Sequence, residues 1–311
     1  MRLGCAKGGA LAGIMLLLVA GCVTVKVSLF EEPRPLKEKV ISGRGRDKIL
    51  LVDISGIIVE GPGRGLLSLK SLTRPDRIKE ELEKAAKDKH IKAVVLRINS
   101  PGGTVSGADV VLHELLAFKT EQNLPVVACL TGLATSGGYY VAQAADTIIA
   151  YPTCITGSIG VLSMKLNLKG LMDKVGVDGE VVKSGQWKDF WSPFRPATPE
   201  EKRMMQEVID DFYRGFVEVV AKGRKLTSEE VRRMADGRIY TASQAKDLRL
   251  VDQLGYLDDA LELAKKQAGL EEARIVRYYR PDSYRPTIYS QLPELDLAAP
   301  QFLYLWLPGE L

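Results

Sequence analysis

The chain is poor in histidine. Its 311 residues include two, His90 and His113. His90 ends a charged helical stretch, His113 sits beside Glu114 in a helical pattern, and neither adjoins a motif. That argues against a Ser-His-Asp triad, which needs an imidazole between nucleophile and carboxylate. The four cysteines, at positions 5, 22, 129 and 154, lack metal-type spacing, so no metal centre and no cofactor is expected. Cys129 falls in an apolar run and reads as core, and a Cys129–Cys154 disulfide is allowed by parity alone. Charge is nearly balanced, 43 basic against 39 acidic residues, and is spread along the chain. Without a basic stripe interleaved with aromatics, nucleic acid is not an expected partner. No repeat at a solenoid period is present.

What is there is globular: 46% apolar and 26% charged residues, enough for one large α/β domain or two small ones. The first segment is a targeting sequence. Arg2 and Lys7 precede an apolar run from Ala10 to Ala20, about half of the ~20 residues that span a bilayer. Val19-Ala20-Gly21-Cys22 resembles the bacterial lipobox. The expectation is a signal peptide over 1–21, a lipid on Cys22, a linker over 22–47, and residence on the exported face of a bacterial cell membrane. The alternative is an uncleaved signal anchor lengthened by Val23 to Phe30.

From position 49 the pattern alternates strand and helix. Ile49 to Glu60 is a β-rich run that bends at a glycine into a second strand. A helix opens at Arg74-Pro75-Asp76, with Ile78, Leu82 and Ala85 on one face. Strands are expected over 91–98, 125–131 and 147–151, and helices over about 106–120 and just after position 140. Continuous apolar strands indicate a sheet buried on both faces. Thr198-Pro199-Glu200-Glu201 starts a helix that runs to about Lys222, and the last helix covers about 257–268. After Gly269, prolines break any long element while aromatics stay frequent. The stretch 269–311 is expected to be an extended tail.

One stretch invites chemistry. Ser136 lies at a strand-to-helix turn, Ala134-Thr135-Ser136-Gly137-Gly138-Tyr139-Tyr140. It suits an N-cap, and it equally suits a nucleophile. A nucleophile here needs a base, and with histidine disfavoured the remaining choice is a lysine kept neutral by burial. Lys183 and Lys188 are both candidates. Such a site should be shielded from water and lose activity as pH falls. Backbone amides after Pro101, at Gly102 and Gly103, with that of Gly137, can receive an oxyanion.

Taken together, these stretches resemble a known family. Asn99-Ser100-Pro101-Gly102-Gly103-Thr104, the Ser136 turn, Thr156-Gly157-Ser158-Ile159-Gly160, and Lys183-Ser184-Gly185-Gln186-Trp187-Lys188-Asp189 are similar, in order and spacing, to the short bacterial form of peptidase family S49, the signal peptide peptidase A family. Gly237 to Lys246 and Leu250-Val251-Asp252 also fit, so the likeness covers about 48–268. It implies a ClpP/crotonase-like spiral of ββα units with C-terminal helices. It implies a Ser136–Lys188 dyad, Ser158 orienting the lysine, and an oxyanion hole of Gly102, Gly103 and Gly137, with Lys183 left structural. It also implies signal peptides and other apolar peptides as substrates, a homo-oligomeric ring, an octamer in the short form, and sites formed where neighbours meet. The family's usual anchor is a transmembrane helix, from which the lipobox departs. Two other readings compete: a catalytically silent membrane scaffold, and a crotonase-type acyl-CoA enzyme.

Overall fold

In the computed structural model, residues 35–60 and 72–280 are described in full and 301–305 as backbone. The targeting segment and Cys22 lie outside the described residues. The chain from Leu36 to Leu311 forms one unit by its contacts.

Four apolar runs form the centre of the main sheet. These are β2 (Lys48–Ser55), β5 (Ile91–Ser100), β7 (Val126–Thr135) and β8 (Thr147–Ala150), adjacent and parallel. Side chains alternate across a strand, so each run feeds two cores. Leu50, Val52, Leu96, Ile98, Ala128 and Leu130 face one side. There they meet α1 (Pro75–Ala86) through Ile78 and Leu82, and α2 (Val105–Gln122) through Val111 and Leu115. The long helix α5 (Pro199–Arg224) adds Phe216, Val217 and Val220 to the same core. Ile49, Leu51, Val95, Val127, Cys129 and Ile149 face the other side, onto Ala260, Leu261 and Ala264 of α8 (Leu257–Gln267). Truncating a residue at this depth, Leu96→Ala for instance, costs about 2–5 kcal/mol.

A second sheet grows from the ends of the first. β2 turns at Gly56 into β3 (Ile57–Ile58), and β5 turns at Pro101 into β6 (Gly102–Thr104). Each bent pair then leads to a helix, α1 and α2, which is the expected ββα unit. The small sheet runs β10 (Leu162–Met164), β14 (Gln301–Leu305), β6, β3 and β4 (Leu72–Thr73). β9 (Ile155–Gly157) pairs with the far end of β7, and β11 (Ile239–Thr241) with β9.

The chain ends differ from the sequence reading. Residues 37–43, expected as linker, form strand β1. Arg274–Tyr279, expected as extended tail, form β13, inserted between β1 and β2. β1 is the exposed edge strand, where charged residues protect the sheet, while β13 beneath it buries Ile275, Val276 and Tyr278. Cys129 and Cys154 are both free and buried, and they belong to opposite cores. Burial pushes both thiols up to about 12.

Candidate active site

Ser136 stands between β7 and the short helix α3 (Gly137–Ala142), with φ 52° and ψ −120°. That region is natural to glycine at a tight turn and strained for serine. Its surroundings dictate the conformation. The Ser136 amide donates to the Gly157 carbonyl at 2.8 Å, and its carbonyl accepts from the Tyr140 amide at 2.8 Å. Thr156 Oγ1 donates to the Ala134 carbonyl (2.6 Å) and Thr135 Oγ1 to that of Pro101 (3.3 Å). Tyr139 anchors α3 from below, fully buried, with its hydroxyl on the Leu250 carbonyl at 2.7 Å. Although Ser136 holds the N-cap position, its side chain makes no capping bond. A capping role does not account for this serine.

β6 runs beside it. A Cβ on Gly103 would lie 1.8 Å from the Ile58 carbonyl oxygen, so only glycine lets β6 approach β3 this closely. α3 packs on β5 and β6. A Cβ on Gly138 would come within 2.7 Å of the Ser100 carbonyl. Ser100, fully buried, donates from Oγ to the Gly56 carbonyl (2.6 Å) and receives the Gly102 amide (3.1 Å). Of the three amides expected to face an oxyanion, that of Gly102 is therefore committed inward. Gly137 opens α3, where the first amides lack intrahelical partners.

Ser136 opens into a cavity of about 570 Å³ that it shares with Ser158, Ile159, Val161, Ile209 and Tyr213. Ser158 has φ 50°, and its amide donates to the Arg238 carbonyl at 2.8 Å. The structure thus brings Ser136 and Ser158 together. It does not bring Lys188 to them. Lys188 lies on an exposed loop between α4 (Lys169–Val175) and α5, outside the residues that line the cavity. Lys183 binds Asp189 Oδ1 (2.5 Å) and the Gln186 carbonyl (3.0 Å). Lys165 is another lysine of note. Burial lowers its pKa, but its ammonium is spent on the Arg195 carbonyl at 2.9 Å, over the Trp191 ring. Neither histidine lines the cavity, and His90 pairs with Arg46 and Asp47 instead.

Sequence reasoning missed Ser100, the wall that α5 supplies, and the salt-bridged loop around Asp189. Glu201 was visible there only as a helix-start acid.

Comparison with known proteins adds to this geometry. Residues 118–271 match the family model of Peptidase family S49. A candidate signal peptide peptidase SppA of Enterococcus faecium is 36% identical over 78% of this chain and 70% of its own. A candidate protease of Synechocystis is 39% identical over 74% of this chain and 78% of its own. Protease 4 of Salmonella typhi is 34% identical over 70% of this chain and 36% of its own. A ClpP1 mutant from Listeria monocytogenes superposes with TM-score 0.44 at 17% identity, over 68% of this chain and 94% of its own. That is too loose to add to the sheet order above.

Proposed function

The chain belongs to peptidase family S49, a serine peptidase by that membership, and we propose that it is a membrane-tethered endopeptidase in which Ser136 is the nucleophile and Lys188 of a neighbouring copy is the base. The observation that carries this reading is the backbone of Ser136. It is strained, fixed from both sides, uncapped, and open to a cavity with no lysine or histidine among its described lining residues. A lysine base has to arrive from elsewhere, and Lys188 sits on an exposed loop amid uncovered apolar residues.

In the proposed reaction the neutral amine of Lys188 takes the Ser136 Oγ proton while Oγ attacks the peptide carbonyl. The amides of Gly103 and Gly137 receive the oxyanion. Collapse expels the amine product, which takes its proton from the lysine, and water then releases the acyl group from Ser136. Ser158 orients the incoming lysine. The substrate is an extended apolar peptide such as a remnant signal peptide. It binds as a strand between β6 and β10, the position now held by β14, whose Tyr304 pairs with Gly103 and Phe302 with Ser163. The walls supplied by Ile159, Val161 and Ile209 suit apolar side chains. Tethering by a lipid on Cys22 completes the proposal, and intact mass of the membrane form reads it directly.

Ser136→Ala and Lys188→Ala should each abolish cleavage of a synthetic signal peptide while leaving assembly intact. Mixing the two variants after subunit exchange should restore part of the activity, since some sites then combine a native serine with a native lysine. Full activity in either variant alone would refute the dyad. Inactive variants that never complement would place both residues in one chain.

A further inference from the structure

The loop that carries Lys188 has almost no regular structure to hold it. Residues 176–198 contain turns only, and Val181, Val182, Trp187 and Phe194 are exposed. Beyond the stacked, half-buried rings of Phe190 and Trp191, apolar packing does little to fix it within one chain. A polar network fixes it. Arg195 sits at its centre with every guanidinium N–H engaged. Nε donates to Asp189 Oδ2 (2.8 Å), and Nη1 to Glu201 Oε2 (2.8 Å) and the Pro196 carbonyl (3.2 Å). Nη2 donates to Glu201 Oε1 (2.5 Å) and to the backbone carbonyl of Asp189 (3.0 Å). A planar fork satisfied in this way fixes geometry as well as charge.

Both carboxylates are anchored in turn. Glu201 belongs to the capping box that starts α5, accepting the Thr198 amide at 2.9 Å, and its side chain is 1% exposed. Asp189, 13% exposed, takes Lys183 on its other oxygen. That closes a ring from Lys183 to Asp189 with Lys188 on it. The ring is thus bolted to the first turn of α5, the helix whose Ile209 and Tyr213 line the Ser136 cavity. On the opposite side, Lys165, next after β10, donates to the Arg195 carbonyl. Lys183, Asp189, Arg195, Glu201 and Lys165 are all consumed by one another. Among the described residues Lys188 Nζ has no hydrogen bond or ion pair.

We infer that Arg195, through Asp189 and Glu201, is a positioning residue for Lys188: the clamp holds the loop in the geometry from which the lysine reaches a serine, and leaves that lysine unspent. Arg195 itself does not line the cavity. This inference rests on Lys188 being the base. Ion pairs elsewhere on the surface, such as Arg203–Glu200 or Arg233–Glu229, join neighbours on one helix and position nothing.

The test uses the full chain and a synthetic apolar signal peptide. Arg195→Met removes the fork, and pairing it with Glu201→Gln avoids leaving a buried charge without its partner. The expected result is a fall in kcat of about 10²-fold, the scale of a loss of about 1 Å in alignment. KM should stay within about twofold, because the walls that bind peptide belong to other elements. Added ethylguanidinium should restore part of kcat to the Arg195→Met chain and none to Lys188→Ala. Where Arg195→Met lowers the melting temperature, Arg195→Lys decides. It keeps the charge but loses the fork, and an intermediate kcat at unchanged KM is expected. Parental kcat in both Arg195 variants, with Lys188→Ala inactive, overturns the clamp and leaves the dyad standing. An active Lys188→Ala chain overturns the dyad itself, and the clamp with it.

Discussion

Ser136 occupies a backbone conformation that glycine adopts without cost. Its φ of 52° and ψ of −120° put a β-carbon where sterics disfavour one, a strain of about 1–3 kcal/mol. Ser136→Gly should relieve that strain. It gives back about 0.5–1 kcal/mol through the freer unfolded chain. The net gain is roughly 1 kcal/mol, a rise in melting temperature of about 2–4 °C for a domain of this size. Cleavage should vanish at the same time. A variant that melts lower than the parent would mean that the serine side chain stabilises the fold, contrary to the missing cap bond. The serine itself could be picked out of the sequence by its turn and glycines, and the glycines after Pro101 by the strand end they follow. Their division of labour could not. Gly102 loses its amide to Ser100 because Ser100 is fully buried and needs a donor, a fact of three-dimensional packing that no spacing reveals. The role of Gly103 likewise rests on the Ile58 carbonyl, which lies far away in sequence.

At the level of elements, the sequence gives up its long apolar strands and its capped helices most readily. The sharp start of α5 was set by Thr198, Pro199 and Glu201, and the helix begins there. The sheet margins were hidden because β1 is charged and exposed, so it carries no apolar period to detect. The start of α5 also yields a pH prediction. Hydrogen bonds from Arg195 hold the Glu201 carboxyl down to about 2, against 4.5 for the free group. A lowered folded value stabilises the folded form fully above the unfolded value, and that stability is lost as pH falls through the folded one. The clamp should therefore loosen between about pH 4.5 and 2, visible in the fluorescence of Trp187 and Trp191, and Glu201→Gln should shrink that transition to the part that belongs to Asp189, whose carboxyl Arg195 and Lys183 also hold low. A signal flat across the window in the parent chain would speak against it. β14 yields a second prediction at this scale. It fills the strand position beside Gly102 and Gly103. A chain stopped after Pro300 should bind apolar peptide more tightly, with KM falling several-fold and kcat unchanged, because substrate no longer competes with β14 for the same edge. A rise in KM would show that β14 is a wall of the groove rather than its occupant.

For the whole molecule, the question is why so much apolar surface between positions 162 and 194 stays in water. α4 buries none of its residues, with Leu171 at 60% and Val175 at 64% exposure, and Val182 beyond it is 95% exposed. Scattered apolar residues are ordinary, but a run of them on one stretch marks a surface that another body covers. Lys188 lies on the same stretch, and no lysine or histidine is among the described residues that line the cavity of Ser136. If a second copy covers this surface, assembly and catalysis depend on one contact, and losing the contact costs both. The double variant Val175→Asp/Val182→Asp places two charges where burial would be needed, and an unpaired buried charge is among the costliest changes an interface can suffer. Light scattering after size exclusion should show a smaller species, and peptide cleavage should fall with it, while circular dichroism stays that of the parent, since these side chains are exposed in the single chain. Dilution of the parent should trace the same path, specific activity dropping as the mass drops. A small species with parental activity would break the link, because it would mean that Lys188 reaches Ser136 without a neighbour.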